Sequence, residues 1–169
     1  FRLMQTCARI ASMLSEIGAV EHEDNVFREA FAFHDRALSL DRTALAKDPH
    51  SVLLRRNYAG ELVMSAYARV LANEQLPEAE AQSDEGLKIQ ENLAGADPAN
   101  AEARQDLAYT YYVNGRIRQL LGDVVQAESN YRQCLAILEP LTAAHPENAE
   151  TAYDLQRART GLAELAQAH

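Results

Sequence analysis

Seven glycines, five prolines, two cysteines and no tryptophan are all that 169 residues contain of these types, and aromatic residues amount to 7%. So little glycine and proline leaves too few turn-formers for an all-β fold, whose short strands need punctuation about every ten residues. The cysteines, Cys7 and Cys134, stand far apart without CxxC or ligand-like spacing. That argues against a disulfide framework or a zinc site and leaves both as small core residues. No stretch reaches the roughly eighteen uninterrupted apolar residues of a membrane span, and no charged start leads into an apolar signal core. The chain therefore reads as soluble and cytoplasmic, with no membrane insertion. Basic residues are also few: 16 Lys and Arg face 25 Asp and Glu, for a net charge of −9. The average field of such a surface repels nucleic acid and anionic membranes. Because the chain opens at Phe1 rather than at a methionine, it reads as a segment of a longer protein.

What is present is a period. Asp48-Pro49, Asp97-Pro98 and His145-Pro146 set three prolines 49 and then 48 residues apart. The segments before them align without gaps: Glu29-Ala30 with Glu78-Ala79 and Gln126-Ala127, then Ala37-Leu38 with Gly86-Leu87 and Cys134-Leu135. Two residues after each proline comes Ser51, Asn100 or Asn148, whose side chains accept hydrogen bonds from the free amides of a first helical turn. Glu102 and Glu150 follow, where the helix dipole favours negative charge. Each proline thus closes one helix just before another begins. In between, apolar residues fall at helical spacing, as in Leu53, Leu54, Tyr58 and Leu62, continued by Met64, Ala68 and Leu71.

Internal breaks from Gly18 to Asp24, Asn73 to Pro77 and Leu121 to Asp123 divide each period into two helices. Seven helices are expected, at about 2–18, 24–47, 51–73, 77–96, 100–121, 124–144 and 148–167. The fold class is all-α: a superhelical array of antiparallel helical hairpins forming a single domain over 1–169. Its hairpins cover about 1–48, 49–97 and 98–145, with a closing helix at 148–167. Helices roughly 30 Å long cannot be buried within one hairpin, so neighbouring hairpins must stack. Leu87 reads as a core residue, and Pro140 should kink its helix or end it near Glu139.

In the third hairpin Gly115, Gly122, Ala127, Tyr131 and Cys134 are separated by seven, five, four and three residues. Small residues recur in register at Ala30, Ala37, Ala79 and Gly86. This pattern resembles the tetratricopeptide repeat (TPR), in which small residues let two helices approach while an aromatic fills the space above them. The sequence departs from the family at Asn114 and Arg118, at His34 and Ser83 where the third hairpin has Tyr131, and in a period longer than the usual ~34 residues. The resemblance therefore implies TPR-like hairpins with lengthened helices, and HEAT-like or other helical repeats stay open as alternatives. The endings of the repeats, Leu87-Lys88-Ile89 through Asp97-Pro98-Ala99-Asn100, look like arrays at the C-terminal ends of bacterial serine/threonine protein kinases. That likeness implies a regulatory or docking segment, since no kinase motif is present.

Catalytic signatures are absent: there is no HExxH, GxxxxGK[ST], calcium loop or GxSxG. None of His22, His34, His50, His145 and His169 pairs at helical spacing with another histidine or cysteine, so no metal or cofactor is expected and the chain does not read as an enzyme. Glu21, Glu23 and Asp24 around His22 read as a solvated acidic turn rather than a cation site. Binding remains. The resemblance implies that the first helix of each hairpin lines a concave groove. First helices with their ends (1–20, 51–73, 100–122 and 148–169) carry 10 Arg and 7 acidic residues, whereas the remainder has 6 basic and 18 acidic ones. Six of the seven tyrosines, Tyr58, Tyr67, Tyr109, Tyr111, Tyr112 and Tyr153, also lie there.

Tyrosine and arginine dominate binding hot spots because each buries much area and keeps a polar end. The family's groove positions fall on Tyr109, Tyr112, Arg116 and Gln119 in hairpin three, on Val63 and Tyr67 in hairpin two and on Arg157 in the last helix. They imply a protein or peptide partner, best an acidic or C-terminal peptide, although the lysines and asparagines of the family's chaperone-binding carboxylate clamp are missing. Against this stands a packing reading, in which the tyrosines fill space and the arginines pair with Glu61, Glu102 and Asp106. The rival function is self-association as a weak homodimer, with Arg157, Glu164 and Gln167 on the outer face of the closing helix.

Overall fold

The structure, a computed structural model, describes residues 2–21 and 24–167. Among the described residues it is all-helical: α1 (Arg2–Glu21), α2 (Asp24–Lys47), α3 (Val52–Ala72), α4 (Leu76–Ala96), α5 (Ala101–Leu120), α6 (Val124–Ala144) and α7 (Ala149–Gln167). The chain divides into two compact units, Phe1–Ile89 and Gln90–His169. No helix of the described residues is long and apolar enough to cross a membrane.

Side-chain caps start the helices where the period places them. Ser51 Oγ accepts from the Leu54 amide at 3.4 Å, Asn100 Oδ1 from Ala103 at 3.0 Å and Asn148 Oδ1 from Thr151 at 3.1 Å. Asp123 does the same for α6, accepting from the Gln126 amide at 3.1 Å. Two first helices end on left-handed residues 49 apart in sequence, Asn73 (φ 52°) and Gly122 (φ 80°). There the amides of Glu74 and Asp123 reach back to the carbonyls of Arg69 and Arg118 at 3.1 and 2.9 Å, closing the helix ends.

Two helices run further than the spacing predicts. α1 continues past Gly18 to Glu21, because the glycine serves packing instead: a Cβ there would stand 3.1 Å from the Phe27 ring. α6 runs through Pro140 to Ala144. Pro140 and Ala136, whose carbonyl loses its donor, are both exposed, so water can take the missing bond while buried Leu138 and Leu141 hold the helix down. The acidic turn around His22 lies outside the described residues.

Within unit 1, α2 packs on α1 and α3, and α1 also touches α3. Phe27, Phe31 and Ala68 form one core cluster, and Leu38, Tyr58 and Leu62 a second, flanked by Leu45 and Ile89. Unit 2 repeats this connectivity: α6 packs on α5 and α7, and α5 touches α7. The register residues Ala30, Ala79 and Ala127 are all fully buried, as are Ala37 and Cys134. Leu87 is not core. It and Leu135 are only half-buried, while Leu38 at the same register is enclosed by Tyr58 and Leu62. It is Gly86, one residue earlier, that points at its neighbour, since a Cβ there would stand 2.9 Å from a Val63 methyl.

The tightest approach in unit 2 surrounds Tyr131, which is fully buried. A Cβ at Gly115 of α5 would sit 2.6 Å from its ring, and one at Gly161 of α7 2.5 Å from it, so the phenol occupies space that two helices vacate together. Gly115→Ala and Gly161→Ala should each cost about 1 to 3 kcal/mol in urea titration, the usual result of overpacking. Gly60→Ala, in open space within α3, should instead gain about 0.5 to 1 kcal/mol. Leu62→Ala should lose about 2 to 5 kcal/mol and Leu87→Ala clearly less; equal losses would contradict the placement of Leu87.

Candidate functional site

Tyr109, Tyr112, Arg116 and Gln119 follow one another at three, four and three residues, which puts them on one stripe of α5. Arg157 meets this stripe from α7. Its guanidinium lies 4.2 Å from the Tyr112 ring centroid, 5.7 Å from that of Tyr109 and 5.3 Å from that of Tyr153. A cation over three aromatic faces is held by their quadrupoles, and Asp154 completes its environment by accepting from Nη1 at 3.2 Å. Burial raises the Asp154 carboxyl above its ordinary value, with the Arg157 charge opposing that rise.

These five sequence-selected residues therefore come together in unit 2, but not all are displayed. Tyr112 is 7% exposed and packs between the rings of Tyr109 and Tyr131, with centroids 6.3 and 6.2 Å away. It is a core residue that supports the stripe. Tyr109, Arg116, Gln119 and Arg157 are half-buried. Tyr67, the sixth, is half-buried on α3 of unit 1. Two of the arginines pair with acids of α7: Arg116 Nη1 donates to Glu164 at 2.9 Å and Arg157 Nη1 to Asp154 at 3.2 Å. Arg157 and Glu164 consequently face α5 and not outward from α7.

Sequence reasoning passes over Glu164 and Tyr131 as parts of this site. Gln119 Oε1 accepts from the Tyr131 hydroxyl at 2.6 Å and from Arg116 Nη1 at 3.3 Å, while its Nε2 donates to Glu164 Oε2 at 3.1 Å. A signal exists: Tyr153, Arg157, Gly161 and Glu164 share one stripe of α7, and a buried glycine in a helical stripe marks the side that meets a neighbour.

Unit 1 holds a second polar group, deep between α2 and α3. His34 is fully buried and its Nδ1 lies 2.6 Å from Glu61 Oε1. An ionised carboxylate only accepts, so Nδ1 carries the proton of this bond. His34 Nε2 and Asp41 Oδ1, both buried, have no hydrogen-bond partner. The group is not a metal site, and among the described residues no three His, Cys, Asp or Glu side chains are placed to hold an ion. Nor is Cys134 a nucleophile: burial, with Asp154 adding to it, pushes its thiol up to about 12, far from a thiolate at neutral pH.

Burial, reinforced by the charge of Glu61, pushes the Asp41 carboxyl up from 3.8 to about 6. The folded state thus keeps a proton that the unfolded chain releases. The stability this provides is complete below about pH 4 and is lost as pH rises through about 6. The equivalent residues one and two repeats on, Gln90 and Leu138, are buried and neutral. Asp41→Asn should therefore match the parent chain near pH 4 and exceed it above pH 6, by at most about 3 kcal/mol. Urea midpoints across pH check this, and no gain at pH 7.5 would refute it.

In comparisons with protein-family models, curated proteins and solved structures, nothing matches this chain.

Proposed function

We propose that the chain is a TPR-like docking module, a scaffold without catalysis of its own, which holds a partner protein or peptide along α5 and α7 of unit 2. A cytoplasmic role as the regulatory or docking segment of a larger signalling protein, suggested by the likeness to kinase-associated arrays, belongs to the same reading. One observation carries it most: Arg116 and Gln119 of α5 meet Glu164 of α7 at the surface, with Arg116 28% exposed, and the same α7 displays Tyr153, which is 64% exposed. Half-exposed arginine and tyrosine on a rigid helical base are the side chains that binding hot spots favour. Beneath them Tyr109, Tyr112 and Arg157 form the base. The donors of Arg116 and Gln119 favour an acidic or C-terminal peptide.

A second reading, self-association as a weak homodimer, rests on α1 rather than α7. Leu3, Met13, Ile17 and Val20 are all exposed there, and the last three share one helical face. Light scattering across a concentration series decides it, since a strict monomer removes this reading.

For the docking reading, a displayed random-peptide library panned against the full chain should enrich sequences carrying carboxylates. Arg116→Glu should weaken the selected peptides by about ten- to thirtyfold, and Tyr153→Ala by several-fold, with no change in folding. Tyr112→Ala is unsuited to this purpose, because it would open the core. An empty selection, or peptides indifferent to both substitutions, would overturn the proposal.

A further inference from the structure

We infer that Arg116 and Gln119 form a ready-made receptor for a carboxylate, and that Glu164 of α7 occupies it in cis, competing with an acidic side chain or C-terminal carboxylate of a partner peptide. This rests on the docking reading and adds to it both the chemistry of the ligand and a means of regulation.

The receptor is set from inside the unit. Tyr131, fixed between Gly115 and Gly161, can direct its hydroxyl only along the ring axis, and there it meets Gln119 Oε1 at 2.6 Å. A hydroxyl could donate or accept and by itself would not orient an amide. Arg116 and Glu164 remove the ambiguity. Arg116 Nη1 can only donate, and it lies 3.3 Å from that same Oε1; a carboxylate can only accept, and Glu164 Oε2 lies 3.1 Å from Nε2. The amide oxygen is therefore turned inward and the amide nitrogen outward. Arg116 Nη1 donates to the same Glu164 oxygen at 2.9 Å, so one carboxylate oxygen receives two donors from a single helix. Such charge-assisted bonding selects a carboxylate over a neutral group.

The occupant is easily exchanged. Glu164 is 48% exposed and Arg116 28%, so water reaches the pair and an incoming carboxylate can displace it. Replacing one carboxylate by another leaves the number of bonds unchanged, so an incoming peptide need only supply contacts beyond the ion pair. Tyr153, eleven residues before Glu164, is the exposed aromatic nearest along α7. It lies roughly 16 Å away at 1.5 Å per residue, a distance that about five extended peptide residues span.

The test uses the full chain, its Glu164→Gln variant and N-acetyl tetraglutamate as the probe at low salt, with the Gln119 side-chain amide followed by NMR. Glu164→Gln should bind the probe about tenfold tighter than the parent chain, a coupling of ordinary size, and the Gln119 amide should shift on titration. Adding Arg116→Ala to Glu164→Gln should abolish the gain. Adding Tyr131→Phe, which keeps the ring, should reduce it several-fold by freeing the amide. An amidated tetraglutamate that still binds assigns the site to side-chain carboxylates; binding by free-acid tetraglutamine assigns it to the chain terminus. Equal affinities of parent and Glu164→Gln, or an unmoved Gln119 amide, would overturn the inference. Library-selected peptides that need Arg116 but ignore Glu164→Gln would do so too while leaving the docking reading intact. An empty library alongside a Glu164-dependent tetraglutamate response would instead count against the docking reading and leave the carboxylate receptor standing.

Discussion

A phenol ring seated where two helices carry no side chain is the constraint on which unit 2 depends. Tyr131 reaches from α6 into space left by Gly115 on α5 and Gly161 on α7, so one residue fixes the approach of all three helices. Shape alone would be served by phenylalanine. The hydroxyl adds a polar contact at the inner end of the surface cluster, where it meets Gln119. Burial pushes that hydroxyl well above its ordinary range, so it is a neutral donor at neutral pH. Packing and surface chemistry are thereby joined: a change that moves the ring also moves the amide that faces outward.

The same register position carries different chemistry in each repeat. Where the third hairpin has Tyr131, the first has His34 and the second Ser83, all fully buried. The shared small residues that follow, Ala37, Gly86 and Cys134, keep the helix crossings alike while the larger position varies. His34 spends its polarity on Glu61, and the cost of enclosing that pair is raised by Asp41 close by. Replacing such a buried group by apolar residues of similar volume is often neutral or stabilising. Its presence in unit 1 therefore does not account for the unit's stability, which rests on the Phe27 and Leu62 clusters.

Helix placement is legible in the sequence because local chemistry decides it. Serine and asparagine caps, prolines behind acidic or histidine residues and apolar spacing are short-range signals, and the structure has its caps at Ser51, Asn100 and Asn148. Legibility fails where a long-range partner decides. Gly18 has the look of a break but makes room for Phe27, and Pro140 has the look of a stop but lies on a face where water can complete the backbone. Leu87 resembles a core residue only because its register partner Leu38 is one. Which residues of the α5 stripe are covered depends on the neighbouring helices: Tyr112 packs against Tyr131 of α6 and under Arg157 of α7, and is more deeply buried than Tyr109. The direction of Glu164 follows from Gly161 facing a ring, which a spacing rule for one helix does not contain.

Charge patterning is altered by packing in the same way. The excess of arginine on first helices is real in the sequence, yet in unit 2 the two arginines of the candidate surface each have an acid from α7: Glu164 for Arg116 and Asp154 for Arg157. A stripe that is basic on one helix becomes locally neutral once its neighbour is in place. What it then offers a partner is not net attraction, which the overall charge of −9 would oppose for an acidic peptide at long range. It offers fixed donors at short range, where desolvation and geometry outweigh the average field. Selectivity on such a surface comes from how well a ligand's carboxylate reproduces the bonds Glu164 already makes, and affinity from the aromatic area it covers besides.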